Sequence, residues 1–166
     1  SCLDQAGIGF LFAPMLHGAM KHAIGPRKEL ATRTVFNVLG PLTNPAGARR
    51  QIVGVPRAEL TDVLARSLLM LGSDRAWVVH GADGIDEIST TGYTKVSECR
   101  EGVVNTFYLH PADHGVPRCE SDELRGGDIA TNAAIARSVL AGHPGAARDV
   151  VALNVAAALM VAGRVS

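Results

Sequence analysis

In the stretch His80-Gly81-Ala82-Asp83-Gly84-Ile85-Asp86-Glu87-Ile88, three carboxylates fall within five positions, and Asp86 and Glu87 are adjacent. Like charges held side by side repel, so either water screens them on a loop or a cation sits between them. Magnesium suits the second case, because it keeps several of its waters and takes one or two protein carboxylates together with substrate phosphates. The apolar run Ala76 to Val79 precedes the stretch. In open α/β sheets, ligands gather at the carboxyl ends of the strands, which sets Asp83, Asp86 and Glu87 where a ligand would arrive. On residue type alone both readings stay open, since an Asp-Gly turn with solvated acids has the same composition.

A second group is basic: His17, Lys21, His22, Arg27 and Lys28 lie close together in the chain. A planar guanidinium such as Arg27 can clamp a carboxylate beside an apolar wall of Pro14, Leu16 and Met20. The alternative is a set of exposed cations at helix ends. His17 and His22 miss the i, i+4 spacing that a helical zinc site needs. Gly126-Gly127 ahead of an alanine-rich segment could offer backbone N–H groups to phosphate, but the run is neither G-x-G-x-x-G nor a Walker A loop. A plain helix start at Asp128 is the simpler expectation. No G-x-S-x-G motif is present, and Cys2, Cys99 and Cys119 lack the spacing of a zinc site or redox pair, so they are expected as free thiols.

These residues need elements to hold them. Residues 50 to 55, RQIVGV, and 75 to 81, RAWVVHG, read as buried strands flanking an amphipathic helix over 57 to 72 that closes at Gly72. Two nearly all-apolar strands joined by a helix predict a parallel pair covered on both faces. TKVSECR and VVNTFYLHP alternate around Glu101-Gly102, predicting a hairpin that extends the sheet with antiparallel pairing. The alanine-rich segments after Gly126 and after Gly145 predict two helices packed on the sheet or on each other. Upstream, GIGFLFAP predicts a buried strand or an extended entry into a helix, MLHGAMKHA and PRKELATR two short helices, and TVFNVLGPLTNPAG a helical turn running into an ordered loop.

With 166 residues, 47% hydrophobic, the chain can bury one core and is expected to form a single α/β domain, residues 1 to 166. Sixteen basic side chains balance sixteen acidic ones, so no net field draws in nucleic acid or an anionic membrane. No apolar run approaches a membrane span and no signal peptide opens the chain, so a soluble cytoplasmic protein is expected. The start without methionine and the stop soon after a helical pattern read like an excerpt of a longer chain.

HGAMKHAIGPRKEL, RTVFNVLGPLTNPA, VVHGADGIDEIS and LRGGDIATNAAIARSVLAG followed by RDVVALNVAAAL stand in an order and spacing that resemble the anthranilate phosphoribosyltransferase family of tryptophan biosynthesis. The likeness runs over essentially the whole chain, and FNVLGPLTNP together with G-x-D-G-x-D-E carries most of its specificity. The resemblance implies a two-domain enzyme, a small helical domain joined to a larger α/β domain, with phosphoribosyl pyrophosphate (PRPP) and magnesium bound between them. It also implies a homodimer when full-length. This chain would be the α/β part: a mostly parallel central sheet with an antiparallel extension and helices on both faces, of the nucleoside phosphorylase and phosphoribosyltransferase large-domain type.

By the same resemblance, Asp86 and Glu87 match the acidic pair that holds Mg2+ on the pyrophosphate, and Arg27 matches the arginine that contacts the anthranilate carboxylate. Pro14, His17 and Met20 fall where the family lines the anthranilate tunnel. No protein nucleophile is implied. Gly18 and Ala31 depart from the family's usual residues, which loosens the expected tunnel backbone. The family's GTGGD pyrophosphate loop and its KHGN motif have no counterpart in these residues, so the 166 residues alone are expected to be inactive. Two rivals remain: a pyrimidine-nucleoside phosphorylase of the same architecture, and a non-catalytic paralogue that binds nucleic acid. The second would show a basic surface and no acidic pair.

Overall fold

The computed structural model describes residues 2–10, 25, 29 and 39–165, and the chain separates into two compact units, residues 1–48 and 49–166. In the first unit, helix α1 (Cys2–Ala6) ends where the Gly7 amide, at φ +70°, donates to the Leu3 carbonyl at 3.0 Å. A left-handed glycine just after the last turn is the common way to close a short helix. A 3-10 turn, Gly40–Thr43, carries Pro41 at its start, and the Thr43 hydroxyl donates back to the carbonyls of Leu39 and Gly40 at 3.3 and 3.2 Å. Asn44 then turns the chain by accepting from the Ala46 amide at 2.9 Å. From residue 39 on, that run agrees with the helical turn and ordered loop expected over 34–47, while 34–38 lie outside the described residues. Of the run expected over 7–14, the described part, 7–10, is irregular and exposed rather than a buried strand, and the rest, with the helices expected over 15–33, lies outside the described residues apart from Gly25 and Glu29, both helical.

The second unit is a four-stranded sheet in the order β1 (Arg50–Gly54), β2 (Arg75–Gly81), β3 (Thr94–Arg100), β4 (Val103–Leu109). β1 and β2 run parallel through helix α2 (Leu60–Met70), while β2 with β3 and β3 with β4 are antiparallel. The α/β class and the antiparallel extension are as expected. The emphasis differs: among the described residues one pairing is parallel and two are antiparallel, so here the sheet is not mostly parallel. The hairpin between β3 and β4 turns on Glu101 at φ +52° and Gly102 at φ +82°. Two consecutive left-handed residues match the right-handed twist of the strands they join.

β2 is apolar at four successive positions because both of its faces are covered: Ala76, Trp77, Val78 and Val79 are all buried. Directly paired antiparallel residues share a face, so Trp77 goes with Glu98 and Val78 with Ser97. On the Trp77 face, helix α4 (Ala146–Ala162) packs Leu153, Ala157 and Val161 onto Trp77, Val79, Ile88 and Val96. On the Ser97 face, α2 buries Thr61, Leu64, Ala65 and Leu68. Each fully buried Leu or Val contributes about 1.5–3 kcal/mol relative to leaving it in water. A thread of hydroxyls satisfies the polar groups on that face, with Ser97 bonded to Thr61 and to Thr106 at 3.0 Å each.

Two arginines fix where α4 ends. Arg50 Nη1 reaches the Ala162 carbonyl and Arg75 Nη1 the Met160 carbonyl, each at 2.5 Å, and Gly163 follows at φ +71°. Both guanidinium groups sit at the negative end of the helix dipole, and Arg75 is a second donor to Met160 O, which also accepts the Gly163 amide at 3.0 Å. Arg75 is itself held by Glu98 at 2.7 Å, and the same Glu98 oxygen accepts the Trp77 indole N–H at 2.8 Å. Helix α3 (Ile129–Leu140) packs against α4 but has no buried residue, and Ile129 and Leu140 are about nine-tenths exposed. No described helix is long and apolar enough to cross a membrane. Cys2 is exposed, Cys99 and Cys119 are buried, and all three are free.

Candidate functional site

β2 delivers the chain to His80-Gly81, and residues 82–93 form the loop that carries the acids. A Cβ on Gly81 would come within 2.5 Å of Asp83 Oδ1 and 2.6 Å of Ile85 Cγ2, so only glycine lets the loop fold back this tightly. The fold-back is closed by Gly81 N–H to the Ile85 carbonyl at 2.9 Å and Gly84 N–H, at φ +91°, to the Gly81 carbonyl at 2.9 Å. His80 Nδ1 lies 2.8 Å from the Val55 carbonyl, tying the end of β2 to the residue after β1.

Asp83 organises the loop from within. Its Oδ2 accepts from Thr91 Oγ1 at 2.5 Å and from Ser89 Oγ at 3.1 Å, and its Oδ1 accepts the Ile85 amide at 3.4 Å. Burial pushes the Asp83 pKa up, but the bonds from Thr91, the Ile85 backbone and Ser89 together outweigh it, and the net shift is below the ordinary value of 3.8. Of the three acids, Asp83 therefore turns its carboxylate to the loop's own hydroxyls and serves structure.

Asp86 and Glu87 behave differently. Both are exposed, and among the described residues neither has an ion-pair or hydrogen-bond partner. Their backbone is nevertheless fixed on both sides. Asp86 crosses the carboxyl end of β1 at Gly54, where an added Cβ would overlap the Asp86 carbonyl oxygen. Ile88, immediately after Glu87, is buried in the core against α4. Asn154 of α4 grips that residue's peptide groups, accepting from Ile88 N–H at 3.0 Å and donating Nδ2 to Ile88 O at 2.8 Å. The two carboxylates thus stand at the rim of a groove of about 430 Å³, lined by Gly54, Asn154, Val151, Val155 and Ala158.

The sequence expectation that Asp86 and Glu87 lie at the carboxyl end of a parallel strand agrees with where the loop sits, beyond β2 and across β1. Pro14, His17, Met20 and Arg27, the expected anthranilate residues, lie outside the described residues. Two residues that shape the site have weak sequence signals. Gly54 looks like an interruption in an apolar strand, which often marks a close backbone approach. Asn154 is a lone amide in the apolar run of α4. Asp128, expected near a helix start, is the N-cap of α3, accepting Thr131 N–H at 2.8 Å.

The donor set suits one kind of ion. Among the described residues no three His, Cys, Asp or Glu side chains converge as a cage. Two exposed, hard carboxylates on a fixed backbone fit magnesium, which uses few protein ligands and completes its octahedron with water and phosphate oxygens.

The whole chain, residues 1–166, matches the model of the glycosyl transferase family, a/b domain. It is 55% identical over 164 residues to the anthranilate phosphoribosyltransferase of Geotalea uraniireducens strain Rf4, covering 99% of this chain and 47% of that protein. An anthranilate phosphoribosyltransferase from Saccharomyces cerevisiae in complex with PRPP and Mg superposes with a TM-score of 0.85 at 31% identity, over 95% of this chain and 46% of that one. The same yeast enzyme in complex with 4-fluoroanthranilate gives 0.84 at 32% identity, over 93% and 45%. The chain therefore spans about half the length of the relatives it matches. With its full length matched by the family model and its sheet, helices and acidic loop laid out on that fold, the chain belongs to the glycosyl transferase family as an a/b domain.

Proposed function

We propose that the whole protein transfers phosphoribose from PRPP to the amine of anthranilate. The observation that carries this reading is the acidic pair: two exposed carboxylates without a partner among the described residues, on a backbone held from both sides, in a chain 55% identical to an anthranilate phosphoribosyltransferase. In the reaction the anthranilate nitrogen bonds to the ribose anomeric carbon, the bond from that carbon to the pyrophosphate oxygen breaks, and the nitrogen loses a proton. A divalent ion on the pyrophosphate stabilises the negative charge that builds on the leaving group.

Asp86 and Glu87 supply the hard oxygens that fix the metal-bound pyrophosphate at the carboxyl end of the sheet. Their backbone is already in place, so little reorganisation accompanies substrate binding. Arg27 pairs with the anthranilate carboxylate, and Pro14, His17 and Met20 wall its ring, which orients the amine without a protein nucleophile. The readings as a pyrimidine-nucleoside phosphorylase or a nucleic-acid-binding paralogue are not favoured, since the relatives named above are anthranilate phosphoribosyltransferases.

The test is the whole protein carrying Asp86→Asn with Glu87→Gln, assayed with both substrates at raised magnesium and checked for folding by circular dichroism. Both side chains are exposed, so the fold is expected to hold. Turnover is expected to drop about 10²- to 10³-fold, the scale of removing a preorganised electrostatic contact. Turnover equal to the unsubstituted protein would refute the metal role of the pair.

A further inference from the structure

We propose that Asn154 is the positioning residue of the acidic pair, holding Asp86 and Glu87 at the spacing the metal-bound pyrophosphate requires; this rests on the reading of that pair as the metal ligands. α4 buries Val150, Leu153, Ala157 and Val161, and Arg50 and Arg75 hold its carboxyl end. Both donors and one acceptor position of the Asn154 amide are used: Oδ1 accepts Ile88 N–H at 3.0 Å, while Nδ2 donates to Ile88 O at 2.8 Å and to Val150 O at 2.9 Å.

The alternative amide orientation is excluded by chemistry. A flipped side chain would turn NH2 toward the Ile88 N–H and an oxygen toward two carbonyls, losing all three bonds. The side chain therefore acts as a strand partner one residue long, bonding both the N–H and the C=O of Ile88 as a β-ladder would. The bond to Val150 on its own helix stops the amide from rotating away. Ile88 is 66 residues distant in sequence and directly follows Glu87, so the clamp joins the seat of α4 to the position of the acids.

Asp86 and Glu87 lie between this clamp and the contact at Gly54. Without the clamp, the peptide groups of Ile88 lose their partners and the acids are held only from the Gly54 side. Partners that orient metal ligands from behind typically change metal affinity or activity by about 10- to 100-fold when removed.

The experiment titrates Mn2+ into the whole protein with saturating PRPP, following free Mn2+ by electron paramagnetic resonance, and separately measures kinetic constants with Mg2+. Asn154→Ala is expected to weaken Mn2+ binding about 10- to 100-fold and to raise the Mg2+ requirement by a similar factor, with the anthranilate KM within about twofold of the parent. Asn154→Asp, the same shape without the two donated bonds, is expected to be impaired in the same sense. Asp86→Asn with Glu87→Gln runs alongside as the control. If that control loses Mn2+ and both Asn154 variants bind it normally, the positioning role is refuted while the metal reading stands. If the control also binds Mn2+ normally, the metal reading fails and the positioning role with it. A readout independent of any variant comes from the metal-free parent protein, in which the Ile88 amide is expected to resist hydrogen exchange; exchange at the rate of an open loop would overturn the clamp.

Discussion

Three acids that look alike in sequence divide by what their oxygens touch. Asp83 is bonded to Thr91, Ser89 and the Ile85 amide, whereas Asp86 and Glu87 have no partner among the described residues. The sequence shows the cluster and its place after a buried strand. It does not show the division, because that depends on hydroxyls at 89 and 91 folding back over Gly81. The division has a pH signature. The Asp83 pKa is lowered in the folded protein, so its contribution is fully present above the unfolded value near 3.8 and is lost as pH falls through the folded value. Asp83→Asn, turned to accept from the hydroxyls, sets its NH2 against the Ile85 amide. Discounted for the exposure of this loop, the substitution is expected to cost about 1 kcal/mol in urea unfolding near neutral pH. That gap is expected to narrow as the pH falls from 3.8 through the lower folded value, below which the parent carboxylate is protonated in both states. A gap that holds constant into acid would show that the charge of Asp83 plays no part.

The elements most legible in sequence are those whose environment is uniform along their length. β2 reads as a buried strand because both faces are covered, and the β3–β4 hairpin reads from alternation broken at Glu101-Gly102. Two elements were legible in kind but not in context. The apolar content of α3 suggests a packed helix, yet composition cannot say how much a partner covers, and its Ile129 and Leu140 remain exposed. β1 reads as a strand, but nothing local reveals that Gly54 is where another loop crosses it, since Asp86 is 32 positions away. Gly54→Ala is expected to destabilise the protein by about 1–3 kcal/mol, the range for forcing an extra carbon into a packed site. Exposed Glu87→Ala, on the same loop, should stay within about 0.5 kcal/mol by the same denaturant melt. A neutral Gly54→Ala would mean that the loop can lift off β1 without cost, and the fixed backbone ascribed to the acids would be lost.

For the molecule as a whole, balanced charge and an ordinary apolar fraction set the class and little else, and the functional reading comes from short stretches with the right order and spacing. The half of the candidate site that concerns metal is both legible and described: Asp86 and Glu87 are adjacent in the chain, so one loop suffices to bring them together. The half that concerns anthranilate, with Arg27, Pro14, His17 and Met20, is legible only through family resemblance and lies outside the described residues. Asn154 leaves only the weak signal of a lone amide in an apolar helix, which does not point to Ile88, 66 residues away in sequence. Phosphoribosyl transfer has a fixed stoichiometry, so the proposed reaction can be tested on its products. The whole protein, given anthranilate, PRPP and magnesium, is expected to consume anthranilate fluorescence and release pyrophosphate in equal molar amounts, both stopping when the metal is chelated. Pyrophosphate release that does not depend on anthranilate, or no loss of anthranilate at all, would rule out the proposed transfer.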